Sequence, residues 1–360
     1  MSPDTTVRES LLEVDGMSTT FAVRSSKLFG RKRELKAVRG VSFEVRRGET
    51  YALVGESGCG KTTTGRTIIG LEEASEGTAT LRGKRLFGGE GGESATKDDR
   101  RRIQMIFQDP YSSLNPKKRV GVILDEALKI SGVDAGSAER RQIVLDVLNR
   151  VGFGPEYYSR FPHEFSGGQR QRIGIARALI VEPDLIICDE AVSALDVSIQ
   201  AQILNLLREL QRDSGISYLF VSHDLGVVKY IADRVGVMYL GEIVEEATSE
   251  ELFASPQHPY TRALLSAVPV ADPAVRGTRQ ALAGEVPTPL NPPPGCVFSS
   301  RCPIAVPLCS ERAPELLATS EGHRVACHLV GTTAPTGSDA RTAPLTAPLT
   351  PSNEKGDTPS

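Results

Sequence analysis

Three blocks near the start of the chain carry closely spaced apolar positions: LLEVDGMSTTFAV (11–23), AVRGVSFEV (37–45) and ETYALVG (49–55). Turn signals such as Arg47-Gly48 separate them, so they predict short strands. After Gly60 the pattern switches to a helix, KTTTGRTIIG, and a later strand is predicted over RIQMIFQ. Between Glu126 and Val151 apolar residues recur at three- and four-residue steps: Ala127, Leu128 and Ile130, then Ile143, Val144, Val147, Leu148 and Val151. SGVDAGS interrupts them, which predicts two amphipathic helices. Beyond Ser166 helices alternate with continuous apolar runs: a helix from Gln169 to Val181, strand LIIC, helix SIQAQILNLLRELQRD and strand ISYLFVS. Buried strands alternating with helices predict a parallel sheet covered on both faces.

Other stretches lack such periodicity. GGEGGESATKDDR (88–100) reads as a flexible surface excursion. Arg24, Lys27, Arg31, Lys32, Arg33 and Lys36 form a basic run around Gly30, read as a solvated loop rather than a lipid or partner contact. Pro287, Pro289, Pro292, Pro293 and Pro294 stiffen the approach to a cluster of cysteines. From Gly331 onward Thr, Pro, Ala and Ser dominate, and such a tail cannot bury enough apolar surface to order itself.

Composition then narrows the class. The 360 residues carry 42 Lys and Arg against 45 Asp and Glu, a formal net charge of −3, which gives no global reason to bind nucleic acid or an anionic membrane. No window approaches the roughly 18 apolar residues that span a bilayer. MSPDTTVRES has acidic residues and no apolar core, so no signal peptide is expected. The expectation is a cytosolic chain that meets any membrane through a partner.

Two segments carry phosphate chemistry. GESGCGKT, Gly55 to Thr62, fits G-x-x-x-x-G-K-[ST] and lies between the strand TYALV and a helix. In that context Gly55, Glu56, Ser57, Gly58, Cys59, Gly60, Lys61, Thr62 and Thr63 form a cradle. Glycines turn backbone N–H groups inward, the helix N-terminus favours an anion, and Lys61 supplies a positive charge. The Thr62 hydroxyl is placed to ligate Mg²⁺. In DLIICDE, Asp184 to Glu190, carboxylates emerge at the C-terminal edge of a buried strand. Asp189 suits Mg²⁺ and Glu190 suits a general base acting on water. Cys188, inside that strand, reads as core. FSGGQRQR, Phe165 to Arg172, is by itself an ordinary helix cap.

In order, GESGCGKT, Gln108 in IFQDP, FSGGQ, LIICDE, SALD and SHD resemble the Walker A, Q-loop, signature, Walker B, D-loop and switch-histidine motifs of the nucleotide-binding subunits of ATP-binding cassette (ABC) transporters. QDPYSSLNP, FPHEFSGGQ, DEAVSALDVSIQAQ, HPYTRALLSAVP and GCVFSSRCP narrow the likeness, over roughly residues 10–330, to the ATPases of oligopeptide and dipeptide importers.

The resemblance implies an α/β P-loop NTPase (RecA-like) core with an antiparallel β subdomain, a helical signature subdomain (about 112–168) and a small C-terminal extension. The ABC domain would span 10–250, the oligopeptide-transporter-type region 251–330, and a disordered tail 331–360. It also implies that Phe21 stacks on adenine, Gln108 senses Mg²⁺ and water, and His223 touches the γ-phosphate. Asp196 runs across a dimer interface, and Ser166, Gly167, Gly168 and Gln169 cap the triphosphate held by a second cassette. Three departures from the family pattern, Thr62 for Ser, Phe165 for Leu and Ala191 for Pro, remove no catalytic atom. Implied partners are a second ATPase chain (paralogue or self), two permease subunits gripped through the helical segment, and an extracytoplasmic peptide-binding protein. Alternatives are the same role for nickel, glutathione or sugar cargo, or a soluble ABC ATPase acting on nucleic acid or ribosomes. The second is disfavoured by a single P-loop and by the lack of a sustained heptad run or a basic face.

Cys296, Cys302, Cys309 and Cys327 are separated by five, six and seventeen residues, unlike the tight pairs of zinc ribbons. Four thiolates can hold a [4Fe–4S] cluster, which the resemblance also implies. Zinc, with His323 or His328 as further ligands, and no metal are the alternatives. Cys59, beside Lys61 and a helix start, sits where thiolate is favoured, but for function it reads as a tolerated variable position. Alkylation there should block ATP binding, and Mg-ATP should protect it.

Overall fold

The computed structural model describes residues 9–23, 33–109, 114–267 and 287–330. Arg24, Lys27, Gly30, Arg31, Lys32 and the tail from Gly331 lie outside these. The strands are β1 (Ser10–Val23), β2 (Arg33–Arg46), β3 (Thr50–Val54), β4 (Glu76–Leu81), β5 (Lys84–Phe87), β6 (Ile103–Ile106), β7 (Leu185–Asp189), β8 (Ser217–Ser222), β9 (Arg234–Tyr239), β10 (Glu242–Thr248), β11 (Leu317–Ser320) and β12 (His323–Val325). They form an antiparallel sheet ordered β2-β1-β4-β5 and an eight-stranded sheet ordered β11-β12-β10-β9-β3-β8-β7-β6.

The run β9-β3-β8-β7-β6 is parallel throughout. Every residue of β3, β7 and β8 is buried, as expected of strands covered on both faces. Alternation still operates within these apolar runs. Tyr51, Leu53, Ile187, Leu219 and Val221 enter one core with Leu12, Val14 and Val41 of the antiparallel sheet and Ile68 of the helix Lys61–Ile68. Their neighbours Ala52, Val54, Ile186, Cys188, Tyr218 and Phe220 enter the other, with Leu124, Val147, Ile175 and Leu207 from helices. A period of two thus sorts one strand between two layers.

The predicted sheet is parallel only in part. β9 to β10, β10 to β12 and β12 to β11 pair antiparallel, and β4, β5 and β9–β12 lie where no strand is predicted. The stretch 88–100 is more ordered than its glycines suggest. Arg85 bridges to Ser94, and Thr96 and Asp99 build a reciprocal capping box that starts a helix at Lys97–Arg101. The first amphipathic helix begins at Val120, well before Glu126, because Val120, Ile123, Leu124 and Leu128 share a buried face. Its successor spans Ser137–Arg150. Arg33 and Lys36 of the basic run are exposed on β2. Among the described residues no helix is long and apolar enough to cross a membrane.

Candidate functional site

The C-terminal ends of β3, β8, β7 and β6 lie side by side, and each delivers a predicted residue: the loop from Gly55, His223, the Asp189–Glu190 pair and Gln108. The loop follows β3 so closely that a side chain at Gly55 would place its Cβ 2.1 Å from the Met238 carbonyl oxygen, and at Gly60 2.3 Å from that of Ala37. Gly60, at φ 105°, leads directly into the helix at Lys61. Only glycine satisfies both the contact and the dihedral.

Lys61 is buried, and its Nζ donates to the carbonyls of Gly55 (2.8 Å) and Glu56 (2.9 Å), folding its charge back onto the loop. The Thr62 hydroxyl donates to Asp189 Oδ1 at 2.7 Å. Burial pushes the Asp189 carboxyl above its ordinary range, against the pull of that hydrogen bond. Gln108 Nε2 donates to Glu190 Oε2 at 2.8 Å, and His223 Nδ1 lies 3.0 Å from Glu190 Oε1. An ionised carboxylate only accepts, so this contact assigns the ring proton to Nδ1. Glu190 sits at φ 47°, a left-handed conformation rare for a residue with a side chain, while its N–H donates to Val221. That conformation costs about 1–2 kcal/mol and is paired with the side chain placed between Gln108 and His223.

Phe21, Ser57, Gly58, Gly60, Lys61, Thr62, Thr63, Gln108 and Glu190 line one cavity of about 340 Å³. Gly55, Glu56, Ser57, Glu190 and His223 line a second, of about 350 Å³. The signature residues line neither. Ser166 caps the helix Gly167–Leu179, accepting from the Gln169 N–H at 3.4 Å, while Gln169 Oε1 accepts from the Ser166 N–H at 3.0 Å. A Cβ at Gly168 would fall 2.3 Å from Ile199 Cγ2, which fixes this helix start against the helix Val197–Ser214. Asp196 caps that second helix, accepting from the Ile199 N–H, and the Ser198 hydroxyl holds its carboxyl below the ordinary range.

Cys59 corrects the expectation of a thiolate. It is 4% exposed, and burial raises its pKa despite Lys61 Nζ 3.6 Å from the sulfur. Cys188 is fully buried, as expected of core. Cys296, Cys302, Cys309 and Cys327 are free thiols. Burial pushes Cys296 up to about 11, and its cysteine neighbours push the same way. Cys302 and Cys327 shift upward for the same reasons. Among the described residues no three His, Cys, Asp or Glu side chains converge as ligands of one metal ion. A single zinc requires thiolates about 2.3 Å from a common centre, and these positions do not provide that. Nor is His323 free to ligate: its Nε2 lies 2.7 Å from Glu245 and its Nδ1 3.2 Å from Gln257. His328 Nε2 lies 2.8 Å from the Arg312 carbonyl, onto which it donates.

Residues 38–193 match the ABC transporter family, and residues 244–309 match the oligopeptide/dipeptide transporter C-terminal region. The oligopeptide transport ATP-binding protein AppF of Bacillus subtilis is 51% identical over 325 residues, covering 89% of this chain and 98% of that protein. The chain belongs to the ABC transporter family. It is an ABC ATP-binding subunit, an ATPase by family. The dipeptide transport ATP-binding protein DppF of Haemophilus influenzae is 48% identical over 317 residues, 88% of this chain and 96% of that one. Among solved structures, cbiO1 from Clostridium perfringens, part of the ABC transporter complex cbiONQ, superposes with a TM-score of 0.57 at 26% identity, covering 69% of this chain and 92% of that chain. The ATP-binding cassette MJ0796, seen as a dimer bound to ADP and Pi, has the same fold: TM-score 0.56, 24% identity, 66% and 99% covered.

Two contacts to the Gly55–Thr62 loop leave no signal in the sequence. Arg301 and Tyr260 both reach Glu56 from more than 200 residues away. GCVFSSRCP and HPYTRALL are visible as family strings, but nothing in their pattern reveals what they touch.

Proposed function

We propose that this chain is the ATP-hydrolysing subunit of a binding-protein-dependent importer of oligopeptides or dipeptides. It would work peripherally on the cytoplasmic side of two permease subunits and pair with a second cassette. The observation that carries the catalytic half is Glu190, held between Gln108 and His223 at the mouth of a cavity lined by Lys61 and Thr62. The peptide half is supported by the matched C-terminal region and by relatives of nearly full length named as oligopeptide and dipeptide transport ATP-binding proteins.

In this reading the loop N–H groups and Lys61 bind the β- and γ-phosphates, and Phe21 stacks on the base. Thr62 and Asp189 are two hard oxygen ligands 2.7 Å apart that would hold Mg²⁺. Glu190 takes the proton of the attacking water, and Gln108 and His223 hold its two oxygens in place. Ser166, Gly167, Gly168 and Gln169 present a helix N-terminus to the triphosphate of the partner cassette, with Asp196 at the same interface. Sandwich closure would then move the permeases.

The C-terminal cysteines would hold a [4Fe–4S] cluster with a structural role. Cys302, Cys309 and Cys327 lie near enough to raise the pKa of Cys296, and Cys309 and Cys327 that of Cys302, yet no three of these side chains converge on one point. A cluster binds each thiolate to a different iron, so it does not require the four to meet at one point. Iron and sulfide content after anaerobic purification tests this part.

The whole reading is tested by tagging the chain in its native host and identifying co-purifying proteins. Two permeases and a peptide-binding protein are expected. A nickel, glutathione or sugar receptor would change the cargo, and ribosomal partners would overturn the reading.

A further inference from the structure

The loop that cradles phosphate is gripped from outside the cassette motifs. Arg301, 7% exposed, sits at the end of the short 3₁₀ turn Ser299–Arg301, between Cys296 and Cys302. Its Nη1 donates to Glu56 Oε2 at 2.7 Å and its Nη2 to Glu56 Oε1 at 3.1 Å, a two-pronged fork of charge-assisted bonds. The Glu56 N–H donates to Tyr260 Oη at 2.9 Å. Arg301 Nη1 also donates to Tyr239 Oη at 3.4 Å. Tyr239, Tyr260 and Phe298 pack ring on ring, with centroids 4.7 to 5.4 Å apart. The cysteine segment is tied in turn, since the Cys296 N–H donates to the Cys309 carbonyl at 2.7 Å.

Glu56 is an acidic residue in a loop built for an anion. Left unpaired, its carboxylate would repel a triphosphate. Paired, its charge is offset and its backbone carbonyl is held where Lys61 donates to it. We propose that Arg301 is a positioning residue for nucleotide binding: by clamping Glu56 it sets the charge and conformation of the phosphate loop, and so couples the integrity of the cysteine region to ATP affinity. This rests on reading Gly55–Thr62 as the phosphate loop.

Mg-ATP binding by the full-length chain, measured calorimetrically in a Glu190→Gln background that stops turnover, tests it. Arg301→Gln is expected to weaken binding about tenfold, because it frees a carboxylate beside the phosphates. Glu56→Gln combined with Arg301→Gln is expected to recover most of that loss, because no free charge remains. A purely structural role for Arg301 predicts no recovery. If Arg301→Gln does not fold, Arg301→Lys carries the test: it keeps the charge but loses the fork, and about threefold weaker binding at an unchanged thermal midpoint is expected. Arg301 variants that bind like their parent, or a double variant as weak as the single one, would overturn the clamp. A parent that binds no Mg-ATP would instead overturn the phosphate-loop reading itself.

Discussion

The strand-end cradle and the start of the helix Gly167–Leu179 are both suited to an anion, but they are built in opposite ways. The cradle depends on partners distant in sequence: Thr62 meets Asp189, Gln108 meets Glu190, and Arg301 meets Glu56 across 245 positions. The signature start is local, since Ser166 and Gln169, three residues apart, satisfy each other. In the cradle the protein's own groups occupy one another, with Lys61 turned onto loop carbonyls and the Thr62 hydroxyl on a carboxylate. The signature helix start stands apart from both cavities. A site assembled by the whole fold can do chemistry, while a locally capped helix end can be offered intact to another molecule.

Changes on the two sides should separate accordingly. Glu190→Gln should lower turnover by about 10²–10⁴-fold while Mg-ATP still binds, as single-turnover assay and calorimetry would show. Persistent hydrolysis would remove Glu190 from its role. Ser166→Ala should slow turnover of the assembled transporter roughly tenfold to a hundredfold yet leave Mg-ATP affinity of the isolated chain unchanged. An equal loss in both assays would erase the contrast. Gly168→Val drives a Cβ into Ile199 and should cost about 1–3 kcal/mol by denaturant titration.

A further prediction concerns the link between the C-terminal region and the core. Burial holds His258 down at about 3, whereas an unfolded histidine titrates near 6.5. The unfolded chain therefore binds the extra proton, so this contribution is fully present above about pH 6.5 and is lost as pH falls toward 3. The expected slope approaches 1.4 kcal/mol per pH unit, and His258→Asn should flatten it in denaturant melts compared between pH 7 and pH 5. Smallest of all, Cys59 should resist iodoacetamide in the native chain, with Mg-ATP slowing modification further. Rapid labelling, followed by mass spectrometry, would contradict a buried neutral thiol.

What the sequence reveals divides along the same line as the two sites. Short-range patterns are legible: the glycines and lysine of the loop, the Ser166 cap and the apolar runs of β3, β7 and β8. The burial of those runs on both faces also follows from composition. The edge strand β11 is short and largely exposed and its neighbour β12 has only three residues; they owe their existence to pairing, β12 with β10 and β11 with β12, rather than to any pattern of their own. The Thr96–Asp99 capping box is present in the letters but is masked by the glycines around it. Arg301 is the extreme case, because a fork onto Glu56 arises only when a late turn folds back over the loop. His323 illustrates the reverse error: its residue type suggests a metal ligand, but a buried partner, Glu245, already claims it.

The proposed cycle needs a cavity that one chain furnishes and a second must complete. Its most direct test compares the ATP turnover of the isolated, highly diluted chain with that of the complex purified through it from native membranes. Turnover at least about a hundredfold slower for the isolated chain is predicted. Equal rates per chain, unaffected by dilution or by Ser166→Ala, would contradict it.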